Sequence, residues 1–405
     1  MHAKDFEGVT KIMSTIKNIL CIVLVVVLTV GLLGCGGSVE SGGNSGAIVA
    51  VENFSEGLAV VSKNGLYGYI DTSGNIVIPI NFVEATSFRD GIAQVSLEDE
   101  DNTSYKALID TQGNIVFDYR DYQDKYTEMF DYSEGLIGVS KHEESYDKNE
   151  TSYGFINIDG EVVIPLQNEW EIQPETTFSD GVAWVKKDKS WYIINNKGER
   201  QTSSDSLPLQ SVSAFHEGYA IGETPTWDTV IVDSKGGATR FMLPSKPDYL
   251  GDCSQGLFAY GIDYGGYSSD YGYANVDGDR IIDLSDYDVT TLSDFNEDLA
   301  VVFFKGKDEK SYCTYIDKSG EFVLEPQNEY SFGIFSEDHA VWTEWDTSTG
   351  LYGYVVDKNF NKVSDRIQFD DIIDAKFSNG YCIVQKDGKA MFMDNSGNML
   401  EITES

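Results

Sequence analysis

The chain has 405 residues, of which 41% are apolar and 13% aromatic, a composition that excludes disorder throughout and supplies a large core. Its formal charge of −38 repels phosphate backbones and anionic head groups, which disfavours nucleic-acid binding and direct adsorption to lipid. Glycine is frequent and proline sparse, 39 against 8, and with so many aromatics this suits strands joined by glycine turns, pointing to an all-β fold.

In chain order, Lys11 and Lys17 precede an apolar run of 15 residues, 19–33, followed by the small residues of "GCGGS". That run falls short of the roughly 20 residues a membrane-spanning helix needs, so residues 1–34 are expected to be a signal peptide. The residues before Met13 include Asp5 and Glu7, which suit a leader poorly, so translation could start at Met1 or at Met13. The stretch "LLGC", residues 32–35, resembles the lipobox of bacterial lipoproteins, with Leu32, Gly34 and Cys35 at the matching positions. This resemblance implies that Cys35 becomes the first mature residue and carries a diacylglycerol thioether. Two acyl chains suffice for stable anchoring at the extracytoplasmic face of the cell membrane. Residues 35–46 then read as the lipidated cysteine and a Gly/Ser-rich tether. Removing residues 1–34 takes away three lysines and two acids and leaves 26 basic against 65 acidic residues, so the anchor rather than the surface holds the protein at the membrane.

From residue 47 to 405 the chain repeats itself. The phrase "FSEGLAVV" at Phe54 returns from Phe88, Tyr132, Phe178, Phe215, Cys253, Phe295, Phe335 and Phe377, at intervals of 34, 44, 46, 37, 38, 42, 40 and 42 residues. Intervals near 40 belong to solenoids and propellers. Each unit continues with an alternating strand, a turn and a second strand such as "YGYID". A tight turn of the type "DTSGN" or "NIDGE" follows, then a third strand such as "IVIP" and a variable segment. This grammar is similar to the WG-repeat family of bacterial proteins, with Tyr67-Gly68, Tyr153-Gly154, Tyr271-Gly272 and Tyr352-Gly353 in the dipeptide that names it. The resemblance implies a binding or scaffold role and names no ligand. About nine short β-sheet units are expected, forming a β-propeller-like toroid, with an open β-solenoid as the alternative. A strand-like segment precedes the first unit at 47–54 and none follows the last, so the N-terminal strand is expected to complete the final blade.

Residues that could carry chemistry are few. His142, His216 and His339 lie in different units with no metal-pair spacing, and Cys253, Cys313 and Cys382 read as small core residues. The turns "NIDGEVVIP" at 157–165 and "NVDGDRIID" at 275–283 lack the regular ligands and terminal Glu of a calcium loop, and no cofactor is expected. Tyr67, Phe155, Tyr273 and Trp191 recur at unit-defined positions and read as core. Tyr264, Tyr267, Trp342 and Trp345 do not recur and are the candidates for a stacking surface. Unique function is expected where the units differ, in loops near 98–104, 141–152, 262–270 and 343–350. The expected function is a non-enzymatic binding or scaffold module for an envelope protein or glycan. The alternative is an envelope glycoside hydrolase using a carboxylate pair.

Overall fold

The structure, a computed structural model, describes residues 46–145, 148–173, 177–201, 208–264 and 269–403. Cys35, the apolar run and the tether lie outside these residues. The described chain separates into two compact units, Gly46–Ser285 with residues 401–403, and Asp286–Leu400.

Nine antiparallel sheets follow one another along the described chain, six in the first unit and three in the second. The first sets the pattern: β1 (Val49–Ala50), β2 (Leu58–Lys63), β3 (Leu66–Asp71) and β4 (Ile76–Phe82) lie side by side in chain order. Five further sheets keep all four strands, and the others retain two or three. This is the four-strand meander of a β-propeller blade, and the fold is all-β, with a single 3₁₀ turn at Tyr119–Tyr122 among the described residues.

The apolar pattern follows from where the core sits. Val60, Tyr69, Ile78 and Phe82 of the first sheet pack with Phe88, Ala93, Val95, Ala107 and Ile109 of the second. The same layering recurs between the second and third sheets, the eighth and ninth, and others within each unit. Ala59, Val60 and Val61 are all inaccessible, so the centre of β2 is buried on both faces and reads as a continuous apolar run.

The recurring phrase "FSEG" is a turn and a staple. Ser55 and Leu58 exchange both backbone hydrogen bonds, and Glu56 and Gly57 between them have φ of +54° and +82°. Two positive φ values in a two-residue turn define type I′, whose twist matches that of a β-hairpin. The acid at the first turn position reaches forward to the backbone of the next sheet's turn. Glu56 accepts from Gly91 N–H (2.9 Å), Glu134 from Gly181 (3.0 Å), Asp180 from Gly218 (2.8 Å) and Glu217 from Gly256 (2.9 Å). The serine does the same one residue earlier: the hydroxyls of Ser55, Ser133 and Ser179 donate to the carbonyls of Phe88, Phe178 and Phe215. In the second unit Glu337 accepts from Asn379 N–H (2.8 Å) and from Gly380 N–H (2.6 Å).

The pair "YG" and "IP" meet in space. Tyr67 pairs with Phe82 and Tyr69 with Ile78, so three residues of β4, beginning at Pro79, arch over Gly68. A Cβ on Gly68 would sit 2.7 Å from Ile80 Cα and 2.8 Å from Ile78 O. In the third sheet Pro165 and Leu166 arch in the same way over Gly154. Proline suits such a bulge because its missing N–H is not needed by the ladder.

One expectation is overturned. The N-terminal strand does not complete the final blade: β1 pairs with β2 of its own sheet, Val49 with Ser62 and Ala50 with Val61. The chain end returns instead as a single residue, Thr403, whose N–H donates to Gly74 C=O (3.0 Å) within the first unit. The physical reason is register: β1 is two residues long and is covalently close to β2, which already offers an open edge.

Candidate functional site

Each sheet has two different ends. At one lie the I′ turn and the turn between the third and fourth strands, and here the repeated polar residues serve the backbone. Asp71 Oδ1 accepts from Ser73 N–H and Asn75 N–H, both 2.9 Å, while Asn75 also donates its side-chain amide. The Asn75 amide, with those backbone donors, holds the Asp71 carboxyl below the usual carboxylate range. Asn157 and Asn275 occupy the same position and accept from Asp159 and Glu161, and from Asp277 and Asp279. In the two calcium-like stretches the oxygen at the turn's first position is therefore occupied by backbone donors. Among the described residues no group of three or more His, Cys, Asp or Glu is disposed to hold a metal ion.

At the other end is the hairpin from the second to the third strand, and the four loops picked out by sequence all fall there. The hairpin at 98–104 is closed by Asp99, which accepts from Asp101 and Thr103 N–H. Residues 141–145 and 148–152 are not a polar loop but an extended ladder, in which His142 pairs with Thr151 and Glu144 with Asn149. At 343–350 only the tip is irregular, since His339–Asp346 is one strand. There Ser348 and Thr349 hydrogen-bond to Asp346 and bring its carboxyl down to about 2. The first sheet has only Asn64-Gly65 at this position. Length and sequence therefore vary at one end of the sheets while the other is held constant.

The aromatic candidates divide. Trp345 and Tyr264 are 52% and 50% exposed on their hairpins. Tyr267 lies outside the described residues. Trp342 is not on the surface: it is buried against Phe332 at a centroid distance of 4.3 Å, and its Nε1 donates to Tyr315 Oη (3.0 Å). The signal was available, because Trp342 lies seven residues after its anchor aromatic, Phe335, and that position is buried as Val61, Val95, Val139 and Val185 in other units. Phe155, Tyr273 and Trp191 are core as expected, and Tyr67 is half-buried. Cys253, Cys313 and Cys382 are all buried. His216 lies 3.5 Å from the Asp252 carboxylate, and His339 Nδ1 lies 2.7 Å from the Glu337 carbonyl. Sequence reasoning missed Trp227, 61% exposed at the tip of the fifth hairpin; its only signal was a tryptophan in the turn-forming "TPTWD" with no counterpart in other units.

Sheets of four strands in a meander, stapled at one end and variable at the other, define an all-β repeat protein of the β-propeller class. The chain carries WG containing repeats: the family so described matches residues 50–67, 67–100, 153–191 and 352–389, three of which include a Tyr-Gly dipeptide named above. No curated protein matches the chain. Solved structures similar to it include the computationally designed Ika8 protein, at 12% identity over 78% of this chain and 98% of that one with a TM-score of 0.40. The crystal structure of the eukaryotic initiation factor is similar at 10% identity over 71% and 90%, TM-score 0.39. Apo AztD from Citrobacter koseri is similar at 12% over 69% and 87%, TM-score 0.37. At such identities and scores these likenesses say nothing about what the chain binds.

Proposed function

We propose that the chain is a membrane-anchored, extracytoplasmic binding or scaffold module without catalytic activity, held by lipid on Cys35 and presenting its second-to-third-strand hairpins to an envelope protein or glycan. The observation that carries this reading is the division of labour within each sheet. The repeated acids, serines and aromatics are spent on turns, staples and core, whereas the hairpin tips differ from unit to unit and expose Trp227, Tyr264 and Trp345. Residues free of structural duty and displayed on a rigid scaffold are those available for recognition. The glycoside hydrolase alternative has its most suggestive pair in Asp270 and Asp283, because burial raises the Asp270 carboxyl. Both carboxylates accept from the same Arg280 Nη2, however, which fills the space a scissile bond would need.

The anchor is tested by Cys35→Ala. The variant is expected to leave the membrane or to accumulate as unprocessed precursor; full membrane attachment with normal processing would overturn the lipid anchor. The binding reading is tested by cross-linked pull-down from intact envelopes with the anchored protein and with a variant in which the exposed hairpin residues Trp227, Tyr264 and Trp345 are all replaced by Ala. Loss of the captured partner in that variant is expected. Equal capture would place recognition elsewhere on the chain.

A further inference from the structure

Trp227 sits in the hairpin between the fifth sheet's strands Tyr219–Glu223 and Thr229–Asp233. Its φ is +64°, a left-handed backbone that strains a bulky residue and persists because its surroundings fix it. Trp227 N–H donates to Thr224 C=O (2.8 Å), Asp228 N–H to Thr224 Oγ1 (3.0 Å), and Thr226 Oγ1 to Asp228 Oδ2 (2.8 Å). Arg240, at the end of the strand Ala238–Arg240, holds the same Asp228 oxygen at 3.3 Å. The backbone of the turn is thus pinned, while Trp227 itself is 61% exposed.

What the indole already meets points to its ligand. Lys246, on the segment joining the fifth sheet to the sixth, sets its ammonium 5.4 Å from the indole centroid. The same ammonium donates to Glu223 Oε1 (2.8 Å), and the other oxygen of Glu223 accepts from Ser211 Oγ (3.1 Å). A tryptophan ring and a carboxylate therefore share one cation, which is how protein surfaces hold an arginine or lysine brought from outside. Charges on the surrounding elements favour the same sign. Glu223 and Asp228 on the hairpin, Asp248 on the joining segment and Asp263, whose N–H donates to Asp248 Oδ2 (2.7 Å), are four carboxylates against two cations, Lys246 and Arg240.

From this geometry we infer that the fifth hairpin docks an arginine side chain of a basic partner protein, which takes the place of Lys246 on Trp227 and Glu223. The inference rests on the binding-module reading and narrows it to a protein partner. Lys246 is the internal stand-in: its side chain is half-exposed and its ion pair with Glu223 lies at the surface, so an incoming cation displaces it at small cost. A guanidinium is the better occupant. It is flat enough to stack on the indole and forked to match the Glu223 carboxylate, which Ser211 still holds when the ammonium leaves. The chain's charge of −38 steers a basic partner toward the site and repels an anionic ligand or a second copy of the chain. An uncharged sugar would gain nothing from the excess of carboxylates.

The test titrates the full chain, purified in detergent, with tetraarginine, tetralysine and cellotetraose, reading tryptophan emission and calorimetric heat. Sodium chloride at about 0.15 M screens diffuse attraction to the acidic surface and leaves close contacts. Tetraarginine is expected to bind, and more tightly than tetralysine. Trp227→Ala should weaken it about fivefold or more. Trp227→Gly should lose binding to the same degree while its thermal midpoint does not fall, since glycine accepts the left-handed backbone freely. Lys246→Ala should tighten binding about twofold or more, because the internal competitor is gone. Trp345→Ala, on a hairpin of the other unit, should bind as the parent does. The inference is overturned if tetraarginine does not bind, if tetralysine binds as tightly, if Trp227→Ala binds like the parent, or if Lys246→Ala does not tighten binding. Cellotetraose that binds through Trp227 and is not displaced by tetraarginine would overturn it too. Envelope pull-down that still captures a partner while tetraarginine fails would leave the binding module standing and remove only the arginine.

Discussion

Gly68 shows how a single absent side chain holds a sheet together. The arch of β4 passes so close that a methyl group would overlap backbone atoms of Ile78 and Ile80, which cannot swing away as a side-chain tip could. Gly68→Ala should therefore cost about 1–3 kcal/mol of stability, the usual range for overpacking; urea unfolding at the parent midpoint would show that β4 can lift off at no cost. The turn carboxylates make a second claim at this scale. Asp71, Asp110 and Asp357 are lowered first by the side chains of Asn75, Asn114 and Asn361, and Asp317 by Ser319. Because their folded values lie below the unfolded value of about 3.9, their contribution is present above about pH 4 and is lost as pH falls through the folded values. Replacing all four with Asn, which already holds the equivalent turns at Asn157, Asn195 and Asn275, should flatten the fall in urea midpoint between about pH 4 and pH 2 relative to the parent. An unchanged slope would move the acid sensitivity elsewhere. Glycine frequency was legible in the sequence at both sites, but that Gly68 yields to the backbone of Ile78 and Ile80 was not, since the contact depends on a register shift that leaves no local mark.

At the scale of elements, the anchor phrase turns out to join sheets as well as to begin them. Ser336 and Glu337 illustrate the hierarchy. Ser336 is buried and its Oγ accepts from the buried Phe377 N–H at 2.6 Å, while Glu337 is exposed and accepts from Asn379 and Gly380. Ser336→Ala strands a backbone donor without water and should cost about 1–3 kcal/mol, more than Glu337→Ala, whose partners can turn to solvent at about 0.5–1.5 kcal/mol. Chemical denaturation orders the two, and amide exchange at Phe377 should quicken in the serine variant alone; equal costs would deny the buried staple its role. The repeat and its strands were readable from the 34-to-46-residue intervals and the alternating pattern. The staple was not, because its partners lie 41 to 43 residues apart and nothing in either phrase names the other. Trp342 is a different case: its place seven residues after Phe335 was legible as a buried strand position, and only its stacking on Phe332 was not.

Over the whole molecule, 67 acidic against 29 basic residues set a field that short-range pairing does not cancel. Self-repulsion at neutral pH should make the folded protein more stable in salt, because at 0.1 M the screening length is only about 10 Å. The thermal midpoint is expected to rise between low salt and about 0.1–0.3 M sodium chloride; a midpoint that falls would mean that local ion pairs outweigh the net field. Composition, repeat interval and the position of turn residues were enough to establish an all-β array of about nine small sheets, because each depends on local chemistry repeated along the chain: alternating burial, a left-handed turn, a carboxylate capping its own backbone. Tertiary structure alone decided which acids are staples, which glycine lies under an arch, and that Trp342 stacks on Phe332. Those relations link residues distant in sequence, and only packing brings them to one place.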